Sequence, residues 1–159
     1  MHKITVSLGN IDDAIKQFEE YEKKVQQNIK DFLKKLLEDG VQIAKAQIIE
    51  LKAFESGELQ NSLKYTLYTE GNKGVIFTDS LHACFVEFGT GVRGAESSHP
   101  TQPWEYDTGG HGENGWWYYD EKEGRCRFTK GMPSRPFMYN TAKELERTAI
   151  SIAREVFSK

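Results

Sequence analysis

The chain has 159 residues, with 21 lysines and arginines against 24 aspartates and glutamates for a net charge of −3. That length suits one domain, 1–159, with a core that needs no staples, and the charge argues against a nucleic-acid binder that works by bulk positive charge. Cys84 and Cys126 are too few for a disulfide scaffold, no apolar run nears the ~20 residues of a membrane span, and no signal-type stretch follows Met1-His2-Lys3-Ile4; the expectation is a soluble protein made inside the cell.

Residues 10–55 contain no proline and a single glycine, Gly40. Ile11, Ile15, Phe18, Val25, Ile29, Phe32 and Leu36 recur at steps of three and four with one omission at Glu22, the stripe by which a helix buries one face. Asn10 suits the N-cap, and Asp12 and Asp13 favour the first turn. A second stripe, Leu33, Leu37, Val41, Ala44, Ile48 and Leu51, is rotated from the first. The rotation and the charged seam position predict a bend or break near Glu22, leaving one helix or two open.

Ser56-Gly57 ends the helical pattern. Leu63, Tyr65 and Leu67 then alternate with polar neighbours, Gly71-Asn72-Lys73-Gly74 supplies a turn, and Val75–Thr78 returns, so 62–79 reads as a hairpin within a unit 62–91. Residues 92–132 are rich in glycine and aromatics and include a second strand pair, 116–119 and 125–129, turned at Glu121–Gly124. Met138, Ala142, Leu145, Ala149, Ile152 and Val156 mark a C-terminal amphipathic helix over 137–158. The whole predicts an α+β fold: a long N-terminal helical segment, a small antiparallel sheet built from hairpins, and a C-terminal helix. The helices carry more apolar stripe than such a sheet covers, so oligomerisation is expected.

Three stretches carry a family resemblance: Ser56-Gly57-Glu58-Leu59-Gln60-Asn61-Ser62 after the long helix, Phe85-Val86-Glu87-Phe88-Gly89-Thr90, and Pro136-Phe137 opening the last helix. In this order they resemble the minor structural proteins of tailed bacteriophages, the head–tail joining, neck or tail-completion family. There a Thr-Gly-x-Leu-x-x-Ser element, an aromatic-Val-Glu-aromatic-Gly-Thr segment and a Pro-Phe follow one another. This chain departs by Ser56 for the threonine, by Ala53 where proline is common, and by a longer, more aromatic span from Val92 to Met132. The resemblance implies a non-enzymatic virion protein without cofactor, assembled in the host cytoplasm. It also implies homo-oligomeric rings that meet the tail tube or terminator and the head connector, with DNA passing through. A mildly acidic ring suits that passage, because DNA does not stick to it. On this reading Ser56, Gly57, Leu59, Phe85, Glu87, Phe88, Gly89, Thr90, Pro136 and Phe137 form a structural signature.

The same residues read physically as scaffold. Phe85 and Phe88 could dock on the helices, Gly89 and Gly91 allow tight turning, and Thr90 can bond backbone there. Glu87 lies among apolar neighbours, so its carboxylate needs backbone N–H groups or an arginine. Pro136 suits a helix start.

Chemical readings are weaker. His82 and Cys84 stand two apart and face differently, so Cys84 reads as a buried, inert thiol. His99, His111 and Cys126, with Glu96, Asp107 or Glu113, match no zinc spacing, although a small metal-dependent hydrolase built on the two histidines is the enzymatic alternative. Gly89–Gly94 lacks the lysine of a phosphate cradle, and Asp79 and Glu87 have no partner machinery for acid–base work. Arg125, Arg127 and Lys130 would serve a DNA-binding accessory module. In the aromatic span, either Trp117 and Tyr119 pack on the core while Trp116 and Tyr118 cover the other face, or the span is an interface arm with Trp104, Trp116, Trp117 and Tyr118 in the contact.

Overall fold

The structure, a computed structural model, describes residues 11–53, 57–68, 72–101, 105–106 and 114–158. Asn10, Ser56, Trp104, His111, Asp107 and Glu113 lie outside the described residues.

The first element, α1 (Ile11–Glu50), is a single helix of 40 residues, about 60 Å long at 1.5 Å per residue. It does not break at Glu22. The two rotated stripes are two faces of one rod, each serving a different stretch of its length. Glu22 sits in an exposed turn, where its carboxylate accepts a hydrogen bond from Gln26 Nε2 at 3.2 Å, so a charge there costs the helix nothing. The helix stops at Glu50, before the Ser56-Gly57 expected to end it. Lys52 takes a left-handed φ of 51°, the Ala53 amide donates to the Ile48 carbonyl at 2.8 Å, and the Lys52 amide to that of Ile49 at 3.0 Å. This is a Schellman closure made without glycine, and it turns Ala53 into the core.

A short helix, α2 (Glu58–Ser62), leads into β1 (Leu63–Tyr68), which pairs antiparallel with β2 (Lys73–Thr78) in the register Leu63 to Thr78 and Tyr68 to Lys73. This ribbon lies on α1. Gly74 fits against Leu37, Ile76 approaches Gly40, and the Tyr65 hydroxyl donates to Glu38 Oε1 at 3.1 Å. Two short helices, α3 (Ala83–Phe88) and α4 (Gly91–Glu96), precede a second antiparallel ribbon, β3 (Trp116–Asp120) and β4 (Arg125–Thr129). The two ribbons remain separate two-stranded sheets.

The last helix, α5 (Phe137–Phe157), runs antiparallel to α1. Asn140 Nδ2 donates to Gln47 Oε1 at 2.9 Å near one end, Leu145 meets Gly40 in the middle, and Glu155 pairs with Lys35 at the other. Its buried positions are Phe137, Thr141 and Ile152, and Ala142 of the expected stripe is exposed. The first turn is rotated because Phe137 enters the core, while Thr141 satisfies its own hydroxyl on the Phe137 carbonyl at 2.7 Å. The core joins Val41, Ala44 and Ile48 of α1 to Leu59, Leu63, Ala83, Val86 and Phe137. Among the described residues nothing covers the stretch of α1 N-terminal to the end of α5, and Ile11, Ile15, Phe18 and Tyr21 are exposed along it.

Candidate functional site

The segments singled out by sequence meet where α3 abuts the start of α5. Pro136 stands at the N-cap of α5 and has no side-chain oxygen to accept from the first-turn amides. Glu87, nearly fifty residues upstream, supplies it. Its Oε2 accepts from the Met138 amide at 2.8 Å and its Oε1 from the Tyr139 amide at 2.9 Å, which places a carboxylate at the positive end of the helix dipole. The backbone of the same region is tied in as well. The Arg135 amide donates to the Val86 carbonyl at 2.8 Å and the Ser134 hydroxyl to the Glu87 carbonyl at 2.7 Å.

Glu87 is buried, and its further partner is His99 rather than an arginine. The Thr101 amide donates to His99 Nδ1 at 3.0 Å, which makes that nitrogen the acceptor and leaves the proton on Nε2. Nε2–H then donates to Glu87 Oε1 at 3.0 Å. Phe88 and Tyr139 flank the imidazole, with ring centroids 4.5 and 5.5 Å away. Tyr106 completes the knot: its hydroxyl accepts from the His99 amide at 2.9 Å and donates to the Phe88 carbonyl at 2.8 Å. Both nitrogens of His99 are thus engaged within the chain, and among the described residues no group of three His, Cys, Asp or Glu side chains could hold a metal.

Gly89 has φ 78°, and a Cβ there would stand 2.6 Å from the Ser134 nitrogen and 2.8 Å from the Met132 oxygen. Only glycine lets these two backbones pass so closely. Thr90 bonds the distant Met132 as well as its own turn: the two amides and carbonyls exchange bonds at 2.9 and 3.2 Å, and Met132 N–H also reaches Thr90 Oγ1 at 3.1 Å. The Arg93 and Gly94 amides are taken by the Lys130 and Thr90 carbonyls, so this glycine run is a packing turn. Leu59 is buried in the core, and Gly57 has a left-handed φ of 75° before α2.

Other placements differ from the sequence reading. Cys84 is exposed, not buried, because Ala83, Val86 and Glu87 form the inward side of α3. His82 and Phe85 are exposed for the same reason, and Phe85 does not dock on the helices. Of the two readings of β3–β4, the core-packing one has its faces reversed. Trp116 and Tyr118 line a cavity of about 540 Å³ with Phe85, Thr90 and Met132, whereas Trp117 and Tyr119 point away from the core. Arg125 and Arg127 are drawn into ion pairs with Glu123 at 2.5 and 3.1 Å, and Arg127 also with Asp120 at 3.3 Å.

The residues that sequence reasoning missed are His99 as the partner of Glu87 and Phe128 as the cross-strand neighbour of Trp117. One signal was available for the first site: a helix opening on proline, without Ser, Thr, Asp or Asn at its cap, needs an acceptor from elsewhere. What this geometry does is mechanical. It locks α3, the segment through His99 and α5 into one unit, and among the described residues two apolar surfaces are left uncovered, the N-terminal stretch of α1 and the outer face of β3–β4.

Residues 12–89 match the family model described as "Bacteriophage HK97-gp10, putative tail-component", a span that runs from the first turn of α1 through α3 to Gly89. No curated protein and no solved structure gives a significant match. Among the described residues no helix is long and apolar enough to cross a membrane.

Proposed function

We propose, for this chain whose residues 12–89 match a phage tail-component family model, a structural role at the neck of the virion: joining or completing the tail for attachment to the head, as a ring of identical subunits. The observation that carries the ring is the projecting stretch of α1. Beyond the reach of α5, Ile11, Ile15, Phe18 and Tyr21 stay exposed at helical spacing, and Phe18 is 74% accessible. An apolar stripe of this length on a rigid rod is an interaction surface rather than scattered exposure.

The subunit works by repeated contact, and the described polar residues act as struts rather than reagents. The tail tube or terminator protein and the head connector are its partners, and the mild negative charge keeps exiting DNA from adhering to the ring. Solution mass by sedimentation, followed by electron microscopy with the major tail protein, tests this. A ring seated at one end of the tube is expected. A monomer without affinity for tail or connector proteins would overturn the proposal, as would metal-dependent turnover of a small molecule.

A further inference from the structure

The last helix carries a stripe on its outer side as well as on its inner one. Phe137, Thr141 and Ile152 are buried on the inner side of α5, and Leu145 meets Gly40 there. Lys143, Arg147, Ile150, Arg154 and Phe157 recur on the opposite side at steps of four and three, and all five are exposed. Ile150 is 65% accessible. Lys143 and Arg147 pair only along their own helix, with Glu146 at 2.9 Å and Glu144 at 3.3 Å, and exposed pairs of that kind are weak. The Arg154 guanidinium makes no ion pair among the described residues.

We infer that this outer stripe of α5 receives the N-terminal arm of α1, residues 11–22, from a neighbouring copy of the chain, an inference that rests on the multimeric reading above. Three observations select that occupant. First, the arm offers the face that takes a helix further along the same rod. Gln47 and Gly40 meet α5, and at 3.6 residues per turn Ile11 and Glu22 stand about ten and five whole turns before them, in line. A narrow stripe repeating at four and three suits a second helix laid alongside. Second, the opposite charges lie on the two facing sides. Asp12, Glu19 and Glu22 stand on or beside the apolar stripe of the arm, and Lys16 is turned away from it. With Ile15 set on Ile150 and the helices antiparallel, Glu22 comes to Lys143, Glu19 to Arg147 and Asp12 to Arg154, and the aliphatic stems of the bases cover Ile11 and Phe18. Two arms laid on each other would instead crowd Glu19, Glu20 and Glu22 of both copies. Third, the contact cannot form within one copy. The arm continues a single helix, and α5 lies between that helix and its own outer stripe.

The contact joins two different surfaces of successive subunits, so it is heterologous and generates a closed ring when the rotation between copies permits. Neighbours in a ring of several copies keep their α1 axes pointing broadly the same way, which is why the arm meets the neighbour's α5 in the antiparallel sense. The test uses full-length Glu19→Arg and Arg147→Glu, each altering an exposed side chain, with helix content followed by circular dichroism. Each alone is expected to keep its helix content and to raise the concentration at which half of the chains assemble by about tenfold or more, because like charges then face each other. Both changes in one chain are expected to restore assembly at the wild-type concentration. Single variants that assemble as the wild type does, or a double variant no better than either single one, overturn the inference.

A second measurement places Ile15→Cys and Ile150→Cys together in a Cys84→Ser, Cys126→Ser background. Mild oxidation is expected to give a ladder of covalently linked copies, and either new cysteine alone to give none. Wild-type multimers whose paired cysteines do not link overturn the contact between arm and α5 and leave the ring standing. A wild-type chain that is monomeric at every concentration overturns both.

Discussion

Glu87 Oε2 lies 2.8 Å from the amide nitrogen of Met138, so the first turn of α5 is capped by a side chain from another helix. The same carboxylate takes the Tyr139 amide and His99 Nε2, and it is buried. Removing it strands three donors at once. Glu87→Ala is expected to lower unfolding stability by about 3 kcal/mol, since bonds to a charged group contribute about 1.5–3 kcal/mol and orphaned donors add to the loss. For a chain of this size that is a fall of about 6–12 °C in Tm. Glu87→Gln, which keeps an acceptor oxygen and loses the charge, should cost roughly half as much. Urea unfolding of both variants checks the order.

Gly89 and Gly124 both adopt positive φ, 78° and 64°, but their surroundings differ. A Cβ at Gly89 meets fixed backbone of residues 132–134, whereas at Gly124 its nearest neighbour is the Tyr119 hydroxyl at 3.9 Å. Gly124→Ala should therefore cost only the left-handed penalty of about 1–2 kcal/mol. Gly89→Ala should cost clearly more and speed amide exchange at Thr90 and Met132, whose mutual bonds it displaces. Equal losses in the two variants would contradict this.

Gly40 sits where α1, β2 and α5 touch. An added Cβ would stand 2.9 Å from Leu145 Cδ1 and closer still to Ile76. Alanine is the better helix former by about 0.5–1 kcal/mol, yet overpacking costs about 1–3 kcal/mol, so Gly40→Ala is expected to destabilise on balance. Trimming the obstacle with Ile76→Val in the same chain should recover part of the loss. A double-mutant cycle with no coupling between the two sites would contradict the packing argument.

The turn of β3–β4 carries a pH signature. The Asp120 carboxyl is held below the ordinary carboxylate range, chiefly by the Glu123 amide, with desolvation opposing and Arg127 and the Lys122 amide adding to the effect. A depressed folded-state pKa means that the unfolded segment takes up the proton more readily. The contribution is complete above about pH 4 and is lost as pH falls through the lower folded value. The protection of the Lys122 and Glu123 amides, measured against their intrinsic exchange rates, should fall over that acid window, and Asp120→Asn should remove that fall.

Much of this protein is legible along the chain because its signals are local. The three- and four-residue stripes, the alternation in Leu63–Tyr68 and the turn residues at Glu121–Gly124 depend only on which side of an element each residue faces, and they mark α1, the two ribbons and α5. The need for a partner at Glu87 was also readable, since a carboxylate among apolar neighbours must be satisfied. Its partners were not. Met138, Tyr139 and His99 are brought to it by how α3 and the loop root lie against α5, and no spacing encodes that approach. The same limit explains why Trp117 and Tyr119 face outward and Cys84 is exposed. Alternation tells which residues share a face, but only the packing of one element on another decides which face is inside.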